Sequence, residues 1–318
     1  MVIVTGASGL LGSIIAEMFA ERNIPVTGLY NSAPPPLSNK NIQWTKCDVT
    51  DSPSLVKIFE GAQAVVHAAA IVSFAQKNKK KMLEVNVGGT ANVVNACLIN
   101  HVKRLIHISS VAAIGKPAKE NIVTEKTSWA HASKPSNYGE SKYLAELEVF
   151  RGEAEGLSVA AVNPSIILAS GNNHRSSGKI IQYVQDEKSF YVEGYLNYID
   201  ARDVAEMVWQ LYKNQNARGR YIASAGTVSW QELFSEIGKR LGKKPPSIKV
   251  SPTMARVAAA VEWLRSSISG SEPLVTKETA KIARQKITYS NERASKDLGI
   301  QFRPLQETLD WCCKPRPM

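Results

Sequence analysis

The sequence predicts an α/β fold built on a doubly wound parallel sheet. Short apolar, β-branched runs alternate with segments of helical periodicity along the first half of the chain. A glycine-rich turn separates the first strand from the first helix. A hydrophobic content of 44% over 318 residues is enough to bury the core of one or two domains.

Val2-Ile3-Val4-Thr5 reads as a buried parallel strand. Gly6-Ala7-Ser8-Gly9-Leu10-Leu11-Gly12 follows it, and Ser13 to Arg22 then places Ile14, Ile15, Met18 and Phe19 at helical spacing. Strand, glycine turn and helix in this order form a dinucleotide-binding context. Glycine admits the tight bend and the approach of backbone to a pyrophosphate, and free N–H groups at the helix start favour an anion. The alternative is a turn that only packs a helix on the sheet, and the position of this turn behind the opening strand weighs against it.

Further strands are expected at Pro25 to Tyr30, Gln43 to Cys47, Ala64 to Ala68, Arg104 to Ser109 and Ser158 to Asn163. Pro34-Pro35-Pro36 marks a loop, and Gly115 to Lys134 is a long irregular stretch of the kind that often carries function. After Asn163 the alternation breaks. Gly171 to Lys179 is polar, and Pro245-Pro246 interrupts a lysine-rich turn. Met254 to Ile268 has Val257, Val261, Leu264 and Ile268 at helical spacing. Its mixed charges favour core packing over a membrane surface.

The 39 basic and 28 acidic residues leave a net charge of +11. The densest basic run, Lys77-Asn78-Lys79-Lys80-Lys81, has no interleaved aromatics and reads as a solvated helix start, not a nucleic-acid patch. No apolar run is long enough to span a bilayer. Met1 directly precedes the first strand, and Cys47, Cys97, Cys312 and Cys313 form no metal pattern, so a cytoplasmic protein with reduced thiols and no metal is expected.

Tyr138-Gly139-Glu140-Ser141-Lys142 places a phenol and an ammonium one helical turn apart on one face. A nearby cation favours the phenolate, which would bring a tyrosine toward acid/base work near neutral pH. His67, on the apolar run Val65 to Ala68, reads as a satisfied core histidine.

These motifs occur together with Asp48-Val49, His67-Ala68-Ala69-Ala70, Asn86-Val87-Gly88-Gly89-Thr90, Ser109-Ser110, Asn163-Pro164-Ser165 and Tyr198 to Ala205. In that order they resemble the extended short-chain dehydrogenase/reductase superfamily, nearest its 3β-hydroxysteroid dehydrogenase and dihydroflavonol reductase branch. The resemblance implies a Rossmann-type domain over 1–164 and about 194–223. It implies a smaller, mainly helical substrate lobe over about 165–193 and 224–318. It makes Tyr138 the acid/base, Lys142 its partner and ribose ligand, and a serine the holder of the substrate oxygen. Ser110 is favoured over Ser109 by its offset of five from Gly115. Asn86 is expected to brace the scaffold.

Cofactor contacts are implied at Gly6, Ser8, Gly9, Leu10, Leu11, Gly12, Tyr30, Asn31, Ser32, Asp48, Val49, Ala68, Ala69 and Ala70. Tyr138, Lys142, Pro164, Ser165, Ile166 and Ile167 complete the set. Tyr30-Asn31-Ser32 supplies no acid to a ribose 2′-hydroxyl, which favours NADP over NAD. The implied activity is hydride transfer between a carbonyl and a secondary alcohol of a small, apolar, steroid- or flavonoid-like substrate, by a monomer or homodimer. Asn163 departs from the arginine usual in that branch. A nucleotide-sugar epimerase or dehydratase with bound NAD would use the same Tyr-Lys pair. Ile114-Gly115 lacks the tyrosine such enzymes carry there, and Arg175 is the only arginine between Asn172 and Lys179. An inactive nucleotide-binding scaffold would not require serine, tyrosine and lysine together.

Overall fold

The computed structural model describes residues 1–33, 39–115, 121–129, 136–170, 178–250 and 287–314. The expected loop at Pro34 to Pro36, the Gly171 to Ser177 part of the polar stretch, and the Met254 to Ile268 segment lie outside them, as does part of the Gly115 to Lys134 stretch.

In chain order the elements begin with β1 (Val2–Thr5), α1 (Leu10–Glu21), β2 (Val26–Tyr30), β3 (Ile42–Lys46), α2 (Ser52–Ile58) and β4 (Ala64–His67). A short helix α3 (Lys79–Leu83) runs through a π-helical turn at Glu84–Gly88 into α4 (Gly89–Ile99). Then come β5 (Arg104–Ile108), β6 (Ile122–Val123), α5 (Asn137–Ala154), β7 (Val159–Pro164) and β8 (Ile166–Leu168). The second half holds α6 (Gly178–Gln185), β9 (Phe190–Tyr191), β10 (Tyr195–Asp200), α7 (Ala201–Lys213), β11 (Gly219–Ala223) and β12 (Gly226–Ser229). It continues with α8 (Trp230–Leu241), β13 (Ile248–Lys249), β14 (Thr288–Tyr289), α9 (Glu292–Leu298) and α10 (Leu305–Cys312).

Seven strands form one parallel sheet in the order β11-β7-β5-β4-β1-β2-β3. The order reverses beside β1, the point at which open α/β sheets bind ligands. The strands are nearly continuous apolar runs because both faces are covered. On one face α1 and α7 bury Ile15, Phe19, Val204 and Val208 against Val2, Val4, Val66 and Ile106. On the other, Leu55, Val93, Val94 and Val149 close over Ile3, Val65, Leu105 and Val159. The parity of side chains along each strand divides the two cores.

Three observed starts follow from capping chemistry. Asp51 accepts from the Ser54 N–H at α2, Ser136 from the Gly139 N–H at α5, and Asp200 from the Arg202 N–H at α7. α1 starts at Leu10, three residues ahead of the sequence expectation, because the glycine turn itself winds into the helix.

β10 joins β8 in parallel and β12 antiparallel in a separate three-stranded sheet. Leu196, Tyr198 and Val228 of that sheet pack with Val184, Leu233, Phe234, Ile237 and Leu309 into a third cluster. The basic run forms the start of α3, where Lys79 pairs with Glu140 at 3.0 Å and Lys81 with Glu84 at 3.2 Å. Among the described residues no helix is long and apolar enough to cross a membrane, and no three His, Cys, Asp or Glu side chains are grouped to hold a metal.

Candidate active site

Because the sheet is parallel, the carboxyl ends of its strands share one edge, and the sequence-predicted residues fall along it. The chain leaves β1 through Gly6, at φ +65°. A Cβ on Gly6 would lie 2.7 Å from the Ala69 backbone, and one on Gly12 would lie 2.2 Å from the Gly6 carbonyl oxygen. Only glycine lets the turn, α1 and the loop after β4 approach so closely. Gly9 begins α1 without a side-chain cap, and the first turn holds no acidic residue. The Gly9 and Ser13 N–H groups donate to the Gly6 and Gly9 carbonyls, so among the described residues it is the Leu10, Leu11 and Gly12 N–H groups, beside Ser8 in the bend, that can face an anion.

At the end of β2, Tyr30 is half-buried while Asn31 and Ser32 are exposed. The Asn31 amide donates to Asp48 Oδ2 at 3.0 Å. Asp48 Oδ1 accepts from the Thr50 N–H at 2.9 Å and hydroxyl at 2.8 Å. The backbone bond from Thr50 is the largest influence holding the Asp48 carboxyl below its usual range. Val49 is buried against α4, where a Cβ on Gly89 would meet it at 2.6 Å.

The loop Ala68-Ala69-Ala70 after β4 is held by a buried polar chain. Thr90 donates to the Asn86 carbonyl at 2.5 Å, so its oxygen accepts from His67 Nε2 at 2.9 Å. His67 Nδ1 then accepts from the Thr5 hydroxyl at 2.7 Å. Burial drives the His67 pKa down to about 3, which keeps the ring neutral. Asn86, in the π-helical turn, receives the Ile71 N–H at 2.7 Å and donates to the Ile71 carbonyl at 2.9 Å and to Ser141 at 3.0 Å. Its side chain therefore braces the β4 loop against α5.

β5 ends at Ile108, and Ser109 and Ser110 follow with different surroundings. Ser109 is buried, and its hydroxyl has no hydrogen-bond partner among the described residues. The Ser110 hydroxyl accepts from the Ala112 N–H at 3.1 Å and stands near enough to Tyr138 to favour its ionised form. Gly139 permits this approach of α5, since a Cβ there would lie 2.8 Å from the Ala112 carbonyl oxygen. Phe74 meets the Tyr138 ring edge to face at 5.9 Å.

Burial raises the Tyr138 phenol above its ordinary value, and the neighbouring Ser110 opposes that rise. Lys142 is buried; its ammonium donates to the Ile108 carbonyl at 2.7 Å and lies 3.5 Å from His107 Nε2. Burial lowers Lys142 to about 8 despite Glu146, whose charge raises it. The ammonium is thus turned toward the end of β5, and at neutral pH the tyrosine is a protonated phenol.

Pro164, Ser165, Ile166 and Ile167 lead from β7 into β8 at the same sheet edge. The Ser165 hydroxyl is buried without a partner among the described residues, and Ile166 is exposed. Asn163 turns inward and donates to the Ser110 carbonyl at 3.0 Å and to Glu146 Oε1 at 2.5 Å. Three residues packed around the site were not singled out from sequence: Phe74, His107 and Glu146. The repeat Tyr138, Lys142, Glu146 at steps of four offered a signal for the last of these.

The donors fit a dinucleotide: free helix N–H groups for phosphates, an ammonium and hydroxyls for ribose, and small residues where the backbone must come close. Fold and site together define a nucleotide-dependent enzyme of the extended short-chain dehydrogenase/reductase type. The model of the NAD dependent epimerase/dehydratase family matches residues 2–223, and the chain belongs to that family. It is similar to a protein named putative dihydroflavonol 4-reductase from Synechocystis sp. (strain ATCC 27184 / PCC 6803 / Kazusa), 29% identical over 96% of this chain and 91% of that one. It is also similar to cinnamoyl-CoA reductase 1 of Oryza sativa subsp. japonica, 26% identical over 98% and 88% of the two chains. Among solved structures, that of gox2253 superposes with a TM-score of 0.82 at 28% identity, covering 98% of this chain and 96% of that one.

Proposed function

We propose that the protein is an NAD(P)-dependent oxidoreductase that interconverts a carbonyl and a secondary alcohol of a small apolar substrate, steroid- or flavonoid-like in shape. The observation that carries this reading is the placement of Ser110 beside the Tyr138 phenol, whose pKa it lowers, with Lys142 one turn further along the same helix. The bound nicotinamide supplies or accepts the hydride. Ser110 holds the substrate oxygen, and Tyr138, a protonated phenol at neutral pH, donates the proton that a newly formed alkoxide needs. Lys142 holds the cofactor ribose and keeps a positive charge beside the reacting groups. Tyr138 contributes to both the cofactor and the substrate side of the site.

The surroundings favour an apolar substrate. Phe74 packs on Tyr138, and the exposed side chains of Val72 and Ile166 extend from the loops after β4 and β7. A lobe formed by about 165–193 and 224–318 would cover that side, closing over a large domain of 1–164 and about 194–223. The name of the relative from Synechocystis agrees with reductase chemistry on a ketone.

For the cofactor we favour NADP over NAD. The end of β2 carries Tyr30, Asn31 and Ser32 and no acid of its own, while Asn31 covers the Asp48 carboxylate with an amide. Gly6 to Gly12, Asp48, Val49, Ala68 to Ala70 and Pro164 to Ile167 complete its pocket.

A second reading, a nucleotide-sugar epimerase with retained NAD, is favoured by the name of the family. One experiment separates the two. Carbonyls, alcohols and nucleotide sugars are incubated with each cofactor while reduced-nicotinamide absorbance and sugar product are followed. Stoichiometric oxidation of added NADPH by an apolar ketone supports the reductase. Sugar isomerisation without net cofactor consumption overturns it.

A further inference from the structure

One turn beyond Lys142 on α5, Glu146 is fully buried. A buried carboxylate is costly unless it is paired and hydrogen-bonded. Here each oxygen has its own partner: Oε1 accepts from Asn163 Nδ2 at 2.5 Å, and Oε2 from Arg220 Nε at 2.6 Å. The Arg220 guanidinium also lies over the Phe150 ring at 5.3 Å, which fixes its plane. The amide orientation of Asn163 is settled by chemistry, because the Glu146 carboxylate and the Ser110 carbonyl only accept. A continuous chain thus runs from the Ser110 peptide through Asn163 and Glu146 to Arg220, joining β7, α5 and β11 behind the site.

Among the described residues Lys142 bonds no carboxylate. Its ammonium faces the Ile108 carbonyl and the neutral His107 of β5, with His67 of β4 beyond. On α5 its charged neighbour is Glu146; Glu140 is taken by Lys79 of α3. Arg220 of β11 stands behind Glu146.

We propose that Glu146 is a positioning residue for this site: held between Asn163 and Arg220, it supplies the negative charge that keeps Lys142 an ammonium and, through Asn163, fixes the peptide that carries Ser110. The inference rests on the Tyr138–Lys142 reading above. It also gives Asn163 a task in place of the arginine usual at its position: it points into the scaffold, not toward substrate. A purely architectural ion pair between α5 and β11 is the alternative, and it would change stability without moving any titration at Lys142.

The test uses the full chain and reads NADPH binding by fluorescence, as well as turnover, from about pH 6 to pH 10. Glu146→Gln removes the charge. It is expected to move the alkaline loss of cofactor affinity to lower pH by about one unit, the scale of an opposite charge nearby. Arg220→Gln removes a positive charge and is expected to move it the other way. Asn163→Ala keeps both charges and should lower turnover while leaving the alkaline limb where it is in the wild type. If Glu146→Gln folds and its limb does not move, the proposal is overturned. If that variant does not fold, Arg220→Gln decides: an upward shift supports the proposal, and an unmoved or lowered limb overturns it. Tyr138→Phe, run in parallel, tests the site reading separately, because its turnover can collapse or persist whatever the lysine titration does.

Discussion

Ser110, just beyond the end of β5, faces Tyr138 at the start of α5 closely enough to oppose the rise that burial gives the phenol's pKa. Neither residue reaches the other through sequence proximity. Gly139 and the Ser136 cap bring the helix start onto the 111–113 turn.

Tyr138→Phe removes one oxygen and leaves the ring contact with Phe74 intact. The fold and cofactor affinity should persist while turnover falls by about 10² to 10⁴, the usual worth of a positioned proton donor. Steady-state rates and a cofactor titration check this. A variant with near wild-type turnover removes Tyr138 from the chemistry.

The two serines should separate. Ser110→Ala should cost roughly 10² to 10³ in turnover, as loss of one oxyanion donor does. Ser109→Ala should cost little, because that hydroxyl is buried without a partner among the described residues. Reversal of these effects in a rate comparison would exchange the two roles.

Cofactor affinity should depend on pH through Lys142. Burial lowers its ammonium to about 8; if that ammonium holds the ribose as proposed, affinity should be full below that value and lost above it. A single ionisation limits the loss to about tenfold per pH unit. Lys142→Ala should bind more weakly at neutral pH and show a flat profile. Titrations at several pH values check both statements.

Affinity for NADPH should equal or exceed that for NADH. Tyr30→Asp should then shift the preference toward NADH, since a carboxylate accepts ribose hydroxyls and repels a 2′-phosphate. Fluorescence titration of both reduced cofactors decides it. A wild type that binds NADH more tightly sinks the NADP preference and leaves the oxidoreductase reading untouched.

Acid should destabilise the fold early. His67 and His107 are buried neutral, both pushed below their ordinary 6.5 by burial, His67 to about 3. Their contribution is complete above 6.5 and declines as pH falls, because the unfolded chain then binds protons that the native state refuses. The slope is up to about 1.4 kcal/mol per pH unit for each histidine. Denaturant melts between about pH 7 and pH 5 should show it, and His107→Leu should make the dependence shallower.

Six of the seven strands were legible in the sequence because most are apolar, β-branched runs, and the glycine turn because its purpose is local; β11, Gly219–Ala223, was not expected as a strand. Tyr138, Lys142 and the serine pair were legible as short motifs. The partners of Lys142 were not: the Ile108 carbonyl and His107 lie more than thirty residues away. Nothing in the spacing of Glu146, Asn163 and Arg220 announces a buried charge chain, since only folding brings α5 against the neighbouring strands β7 and β11. The contact of Asn31 with Asp48 likewise depends on β2 and β3 lying side by side. β10 followed β-strand chemistry but entered a second sheet, a choice set by its neighbours β8 and β12 and not by its own residues.

The strand order also sets a timetable for synthesis. β1, β2 and β3 can pair as soon as residue 46 has emerged, but they leave one edge of β1 open until β4 arrives at residues 64–67. The other side of the sheet is not complete until β11, beyond residue 219. A nascent chain therefore carries the open, apolar edge of half a sheet while the remainder is translated. Such edges pair readily with other chains, and long-range parallel pairing is slow to close. The expected vulnerability of this protein is thus during its making: strong overproduction should yield aggregates seeded by the β1 edge, and slower translation should relieve them.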